Sequence, residues 1–463
     1  MLWTVFTWGA PIQVAFLLSS IMAIFVISSL VRKRRAPAAT FAWILVMVLL
    51  PPIGIPLYLI FGGRKLAGLQ SQKQPLSLLP STNAAPGKLQ PIGDGLLASL
   101  GIPAPSGGNT VKLHMNGEEA FADLVQEIGQ AKRRIHIETY EMLNDGVGMD
   151  LIGRLTARAK EGLEVRVMLD ALGAFHMSRI AIWKFWRAGG RFKWFLPIWP
   201  FLPARTNLRN HRKIYVFDDT RVIAGGRNLA SAYLGPTPTE SRWHDLSFLL
   251  TGPAAAHYAQ IFAADWSFCA KEAIAVEPDA PTRAPGNSVV QVVPAGPDVE
   301  SDALYNITLT TLFEARKRLW LVTPYFVPNA TLLEGLAVAA GRGLDVRIVV
   351  PDVTNERLTD LARGPYLRDL AAVGVKVLLH KGMVHAKVVL IDARLAMVGS
   401  ANFDQRSMFL NFEVMSLFYS APEIAGVAAY VEDLLRVSQP DARPVSTTRD
   451  TIEGIARLIS PLL

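Results

Sequence analysis

The chain has 463 residues, a formal net charge of +8 and 51% hydrophobic residues, with a mean hydropathy of +0.27. That length suits about three domain-equivalents, the hydropathy is high for a wholly soluble enzyme, and the basic balance suits an anionic partner, either nucleic acid or acidic lipid. The single cysteine, Cys269, excludes an intramolecular disulfide and a cysteine-cluster metal site.

The first elements in chain order are apolar. Ile12 to Val31 is a run of 20 residues without a charge, long enough to cross a hydrocarbon core of about 30 Å. Thr40 to Phe61 is a second run, which Pro51, Pro52 and Pro56 should kink or make re-entrant. Between them Arg32 to Arg35 reads RKRR, after an apolar run and not before one, the reverse of a signal peptide. Two N-terminal transmembrane helices, residues 1–65, are therefore expected to anchor the chain in the cell membrane as a multi-pass protein. The positive-inside rule puts RKRR in the cytoplasm. Two full spans would then place the rest of the chain on the far side, and a re-entrant second segment would keep it in the cytoplasm. Both topologies stay open at this point.

Residues 66–110, rich in Pro, Gly, Ser and Ala from Asn83 to Gly107, read as a linker. After it the chain repeats itself. Ala131 to Tyr140 (AKRRIHIETY) matches Ala315 to Tyr325 (ARKRLWLVTPY), and Gly162 to Asp170 (GLEVRVMLD) matches Gly343 to Asp352 (GLDVRIVVPD). Basic helix ends that turn into apolar strands predict two α/β sandwich halves, residues 111–276 and 288–463, packed about a pseudo-twofold axis.

Each half carries one copy of a longer pattern. His211, Lys213, Asp218, Gly225, Gly226 and Asn228 recur at identical spacing as His385, Lys387, Asp392, Gly399, Ser400 and Asn402. On a strand, His211, Lys213, Tyr215 and Phe217 share one face, as do His385, Lys387, Val389 and Ile391. Each strand thus presents an imidazole beside an ammonium. One histidine from each half supplies what a two-step displacement needs: a nucleophile, and a group that donates a proton to the leaving oxygen and later takes one from the acceptor. Lys213 and Lys387, with Asn228, Asn402 and Ser400, form a cradle suited to a phosphodiester, so a metal-free, cofactor-free mechanism is expected. Asp245 and Glu413 are read as carboxylates that hold the histidine tautomers. Asp218 and Asp392, at the far ends of their strands, are carried as candidate catalytic residues, although plain surface salt-bridge residues would account for them more readily.

The duplicated H-x-K-x4-D-x6-G-[GS]-x-N motif resembles the phospholipase D superfamily over nearly the whole chain after about Lys112. TPYFVP at Thr323–Pro328, NFDQRSMFLNFE at Asn402–Glu413, the terminal SPLL and the proline-rich N-terminal segment narrow the resemblance to bacterial cardiolipin synthases. The resemblance implies transfer of a phosphatidyl group between two phosphatidylglycerol molecules through a phosphatidyl-histidine, with His211 as nucleophile and His385 as general acid/base. The implied partners are an anionic phospholipid, phosphatidylglycerol, and the bilayer. Ile182 to Asn210 adds four Trp and four Phe among basic residues, a composition suited to a membrane–water interface, with Trp194, Trp199 and Phe201 as the docking side chains. A hydrolytic phospholipase D, or transfer to another alcohol, would use the same residues. A nuclease fits the charge but not two apolar anchors, so no nucleic-acid partner is expected; oligomeric state is left open.

Overall fold

A computed structural model describes residues 21–28, 30, 37–61, 73–80, 83, 91–93, 95–197, 208–276, 286–299, 301–441 and 445–459. Most of Ile12–Val31, all of Arg32–Arg35, Trp199, Phe201 and the terminal SPLL lie outside them. Helices α1 (Pro37–Leu49) and α2 (Pro51–Phe61) belong to a separate N-terminal unit. The Trp43 and Tyr58 rings meet at 5.4 Å, whereas a straight helix would hold residues 15 apart roughly 22 Å from each other. The second apolar segment therefore turns back on itself at Leu50. Pro51 and Pro52 open α2, where no N–H bond is required of them. Gly54 permits the close approach, since a Cβ there would lie 2.6 Å from the Val46 carbonyl oxygen. Among the described residues no helix is long and apolar enough to cross a membrane.

Residues 67–197 and 209–463 form the second unit. The first half contributes β1 (Ser106–His114), β2 (Arg134–Thr139), β3 (Glu164–Asp170), β4 (Arg191–Phe195), β5 (Ile214–Phe217), β6 (Arg221–Gly225) and β7 (Ser247–Thr251). The second contributes β8 (Ser288–Ala295), β9 (Arg318–Val322), β10 (Phe326–Val327), β11 (Asp345–Pro351), β12 (Lys376–His380), β13 (Val388–Ile391), β14 (Leu395–Gly399), β15 (Phe403–Asp404), β16 (Glu413–Phe418) and β17 (Ser438–Pro440). Leaving aside the small β10–β15 pair, they make one 15-stranded sheet in the order β17-β12-β11-β9-β13-β14-β16-β8-β1-β7-β6-β5-β2-β3-β4. Apart from β17, which has no counterpart at the other edge, the order is palindromic about the antiparallel β1–β8 pair. Each half thus repeats the other around that seam, and the duplicated α/β fold is borne out.

Crossover helices join the parallel strands: α3 (Gly117–Gln130) precedes β2, while α4 (Gly146–Lys160) and α5 (Arg179–Arg187) connect β2, β3 and β4. After α6 (Pro253–Ala270), α7 (Ala303–Glu314), α8 (Ala330–Gly341) and α9 (Arg357–Ala372) repeat the arrangement around β9, β11 and β12. Local sequence starts these helices, with Asn116, Asp145, Ser178 and Asn329 each accepting a backbone N–H of the first turn.

Alternation along β5 and β13 sorts the core into layers. Ile214, Val216, Val388 and Leu390 enter a core shared by both halves, beneath α6 and α10 (Ala421–Val437). Tyr215 and Phe217 enter the outer core of the first half, and Val389 and Ile391 that of the second. Each fully buried aliphatic side chain contributes about 1.5–3 kcal/mol.

Candidate active site

Both histidines stand in extended lead-ins just before their strands, with β5 beginning at Ile214 and β13 at Val388. Each lead-in pairs with the other half. His211 donates its backbone N–H to Phe412 (2.9 Å), and Phe412 donates to Arg209 (2.9 Å). His385 donates to the His244 carbonyl (2.7 Å), and His244 to Met383 (2.9 Å). These bridges bring each histidine against the carboxylate of the opposite half. His211 Nδ1 lies 3.2 Å from Glu413 Oε1, and His385 Nδ1 lies 2.7 Å from Asp245 Oδ2. In sequence each carboxylate follows the other histidine; only the fold crosses them.

His211 Nδ1 also lies 3.2 Å from the Ser400 carbonyl oxygen. With acceptors on both sides, Nδ1 carries the proton and Nε2 keeps its lone pair. Glu413 is held in turn by two hydroxyls, Ser400 Oγ at 2.5 Å and Ser407 Oγ at 2.9 Å. This corrects the expectation that Ser400 offers its hydroxyl to a phosphate: the group is already committed to Glu413. Ser407 was not singled out in sequence, although it lies inside NFDQRSMFLNFE.

Lys213 and Lys387 are buried beside the rings. Lys387 Nζ lies 3.0 Å from His385 Nε2, and Lys213 Nζ donates to the His211 carbonyl oxygen at 2.8 Å. Burial pushes Lys213 down to about 8 and Lys387 down to about 7. Burial, then the adjacent ammonium, lowers His211 and brings His385 down to about 3. The charge of each lysine is also felt by the histidine of the other half, so the two motifs share one field. For Asp245 and Glu413 burial acts upward, but the facing histidines and lysines outweigh it and keep both carboxyls below their ordinary range.

Asn228 and Asn402 flank this cluster. The Asn228 amide donates to Glu141 Oε2 (3.3 Å) and accepts from Thr139 (3.4 Å). The Asn402 Oδ1 atom is buried without a hydrogen-bond partner. Aromatic rings line the cluster: Tyr140 lies 5.0 Å from the His211 ring, and Tyr233 lies 5.0 Å from the His385 ring. Tyr140 closes the first repeated segment, and its position there was the available signal.

Asp218 and Asp392 do not join the cluster. Each follows the far end of its strand, seven residues from its histidine, or roughly 20 Å along an extended chain. Asp218 accepts the backbone N–H groups of Lys132, Arg133 and Arg134, and Asp392 those of Arg316, Lys317 and Arg318. Both adopt positive φ, 52° and 53°, a conformation aspartate tolerates in tight hairpin turns. They lock the turn to the start of β2 and of β9, and their candidate catalytic role is withdrawn. Among the described residues no group of three or more His, Cys, Asp or Glu is arranged to hold a metal ion.

The family described as "Cardiolipin synthase, PLD-like domain" matches residues 124–266 and 308–435, and "Phospholipase_D-nuclease N-terminal" matches residues 20–63. A cardiolipin synthase of Geobacillus sp. (strain WCH70) is 32% identical, with 96% of this chain and 93% of that relative covered. The chain belongs to the cardiolipin synthase family. Another member, from Halalkalibacterium halodurans, is 31% identical over 98% of this chain and 95% of its own length. Among solved structures, phosphatidylserine synthase of Haemophilus influenzae Rd KW20 matches with a TM-score of 0.58 at 16% identity, covering 76% of this chain and 95% of that one. That likeness concerns the fold.

Proposed function

We propose that the protein is a phosphatidyltransferase that converts two phosphatidylglycerol molecules into cardiolipin and glycerol. The carrying observation is the pair of crossed carboxylate–histidine sets, His211 with Glu413 and His385 with Asp245, in one lysine-flanked cluster. His211 Nε2 attacks phosphorus while the bond to the departing glycerol oxygen breaks, and His385 delivers a proton to that oxygen. His385 takes up this proton once the phosphodiester's negative charge offsets the Lys387 ammonium. The hydroxyl of a second phosphatidylglycerol then loses its proton to His385 and attacks the phosphatidyl-histidine, freeing His211. Lys213 and Lys387 neutralise the equatorial phosphate oxygens, with Asn228 and Asn402 as amide donors.

The apolar N-terminal residues attach the enzyme to the membrane that holds its substrate. Outward-facing Phe41, Leu45, Leu49 and Ile53 on α1 and α2 suit lipid, and the reversal at Leu50 favours a re-entrant second segment. With Ile12–Val31 as a single span, the catalytic unit lies on the RKRR side, the cytoplasm. Incubating purified protein with phosphatidylglycerol alone, followed by lipid mass analysis, tests the activity. Cardiolipin and glycerol in equal amounts are expected, whereas phosphatidic acid as the main product would make the enzyme a hydrolase.

A further inference from the structure

We propose that the segments following β3 and β11, two lips beside the histidine cluster, form a docking surface for an anionic phospholipid bilayer, an inference that rests on the lipid-transfer reading. The strands β3 and β11 occupy equivalent places in the two halves. After β3, a Cβ on Gly173 would lie 2.4 Å from the Tyr140 carbonyl oxygen and 2.8 Å from its ring. Tyr140 in turn packs on His211. After β11, Asn355 accepts the Tyr325 hydroxyl at 2.7 Å. Tyr325 is the repeat counterpart of Tyr140, and burial, with Tyr140 itself among the smaller contributors, raises its phenol. The first loop is therefore one tyrosine away from His211, and the second reaches the same neighbourhood through Tyr325, whose phenol feels Tyr140.

Both loops run into apolar surface. In the first lip Phe175 is exposed, and α5 presents Ile180, Trp183 (55% exposed) and Trp186 (62% exposed) to solvent. In the second, Val353 (65% exposed) and Leu358 at the start of α9 do the same. Two open tryptophans on a nine-residue helix are unusual on a surface that meets only water. Their neighbours choose the occupant. Arg179, Lys184 and Arg187 are exposed on the same helix, and the Arg187 guanidinium sits 5.5 Å from the Trp183 ring. Indole rings flanked by cations match the headgroup layer of an anionic leaflet. The second lip carries exposed Asp352 and Glu356 against exposed Arg357, so its charge opposes an anionic leaflet and what it adds is apolar contact. Trp194, one of the three residues expected to dock, instead packs under Arg179 and against Phe192, partly buried on the first-half core, while Trp199 and Phe201 lie outside the described residues.

The test uses the full-length chain and two forms of phosphatidylglycerol, long-chain lipid in vesicles and a short-chain monomer below its micellar concentration. Replacing both exposed indoles (Trp183→Ser with Trp186→Ser) should lower vesicle turnover about tenfold and leave monomer turnover within about twofold. Arg179→Gln with Lys184→Gln and Arg187→Gln should abolish any preference for phosphatidylglycerol vesicles over vesicles diluted with phosphatidylcholine. Equal losses on monomer and vesicle, or no loss on either, overturn the docking proposal. Quenching of tryptophan fluorescence by brominated phosphatidylglycerol reads docking without turnover, and should weaken in Trp183→Phe with Trp186→Phe. Trp43 in the membrane-attached α1 quenches in both forms, so quenching lost in that double variant, without conversion of either substrate, would overturn the lipid-transfer reading and leave docking standing.

Discussion

The two halves repeat the same strand order and the same motif, yet they treat the residue between the histidine and the lysine in opposite ways. Arg212 in the first half is fully buried and donates to the Glu413 carbonyl oxygen (3.1 Å), the Ala295 carbonyl oxygen (3.1 Å), Asp265 (2.6 Å) and Asp298 (3.2 Å). Lys73 binds the same two aspartates from the other side. Its counterpart, Ala386, simply fills the shared apolar core. The lead-in of His211 is thus clamped by buried charge, and that of His385 by packing. A second difference follows from carboxylate length. A Cβ on Gly226 would fall 2.1 Å from Asp245 Oδ1, so the short aspartate needs glycine beside it. The longer Glu413 leaves room for Ser400, which then bonds to it. Duplication supplied two similar frames, and side-chain length and charge made their histidines inequivalent. The histidine whose lead-in carries the charged clamp, and which faces the doubly held carboxylate of the opposite half, is the one assigned the nucleophile.

The sharpest way to break that comparison is to remove one histidine at a time. His211→Ala and His385→Ala should each reduce cardiolipin formation by about 10⁴-fold or more. With a nitrophenyl phosphodiester, whose leaving group needs no proton, His385→Ala should still become phosphatidylated and accumulate as adduct. His211→Ala should show none by intact-protein mass. The crossed carboxylates extend the test. Glu413→Gln should slow adduct formation by about 10²- to 10⁴-fold, and Asp245→Asn should instead slow resolution of the adduct. The reverse assignment would mean that each carboxylate serves the histidine of its own half.

A smaller effect separates the lysines. A lysine held low in pKa loses its charge as pH rises, so phosphate binding weakens on the alkaline side. On soluble phosphatidylglycerol, kcat/KM should fall as Lys387 deprotonates at about pH 7 and fall further as Lys213 does at about pH 8. Bound phosphate favours the ammonium form, so the alkaline limb of kcat should lie higher than that of kcat/KM. Lys387→Arg should erase the first step and retain the second. A profile flat to about pH 9 would remove the lysines from phosphate binding.

The smallest effect on turnover is expected where the halves are most alike. Asp218→Asn and Asp392→Asn should each cost about 1–3 kcal/mol of stability, read as a lower melting temperature, while kcat of the folded protein is unchanged. A specific loss of kcat at either position would return that aspartate to the reaction.

The sequence by itself determined the duplication, the α/β halves and the histidine–lysine pairs, because these depend on spacing and on the period of two that sends His211 and Lys213 to one face of their strand. It also exposed the prolines that end one N-terminal helix and begin another. It did not determine which carboxylate meets which histidine, because that contact spans 140 positions between His385 and Asp245 and is set by bridges between the halves. Nor did it place Lys73, drawn from a stretch that reads as a linker, against Asp265 and Asp298, or pick Trp183 and Trp186 over Trp194 as the exposed rings. Composition reports that charges and rings are present, and periodicity reports which face of its own element a side chain takes. Which elements then come together is decided by the sheet order around the β1–β8 seam, where non-local packing overrides anything a local window of sequence carries.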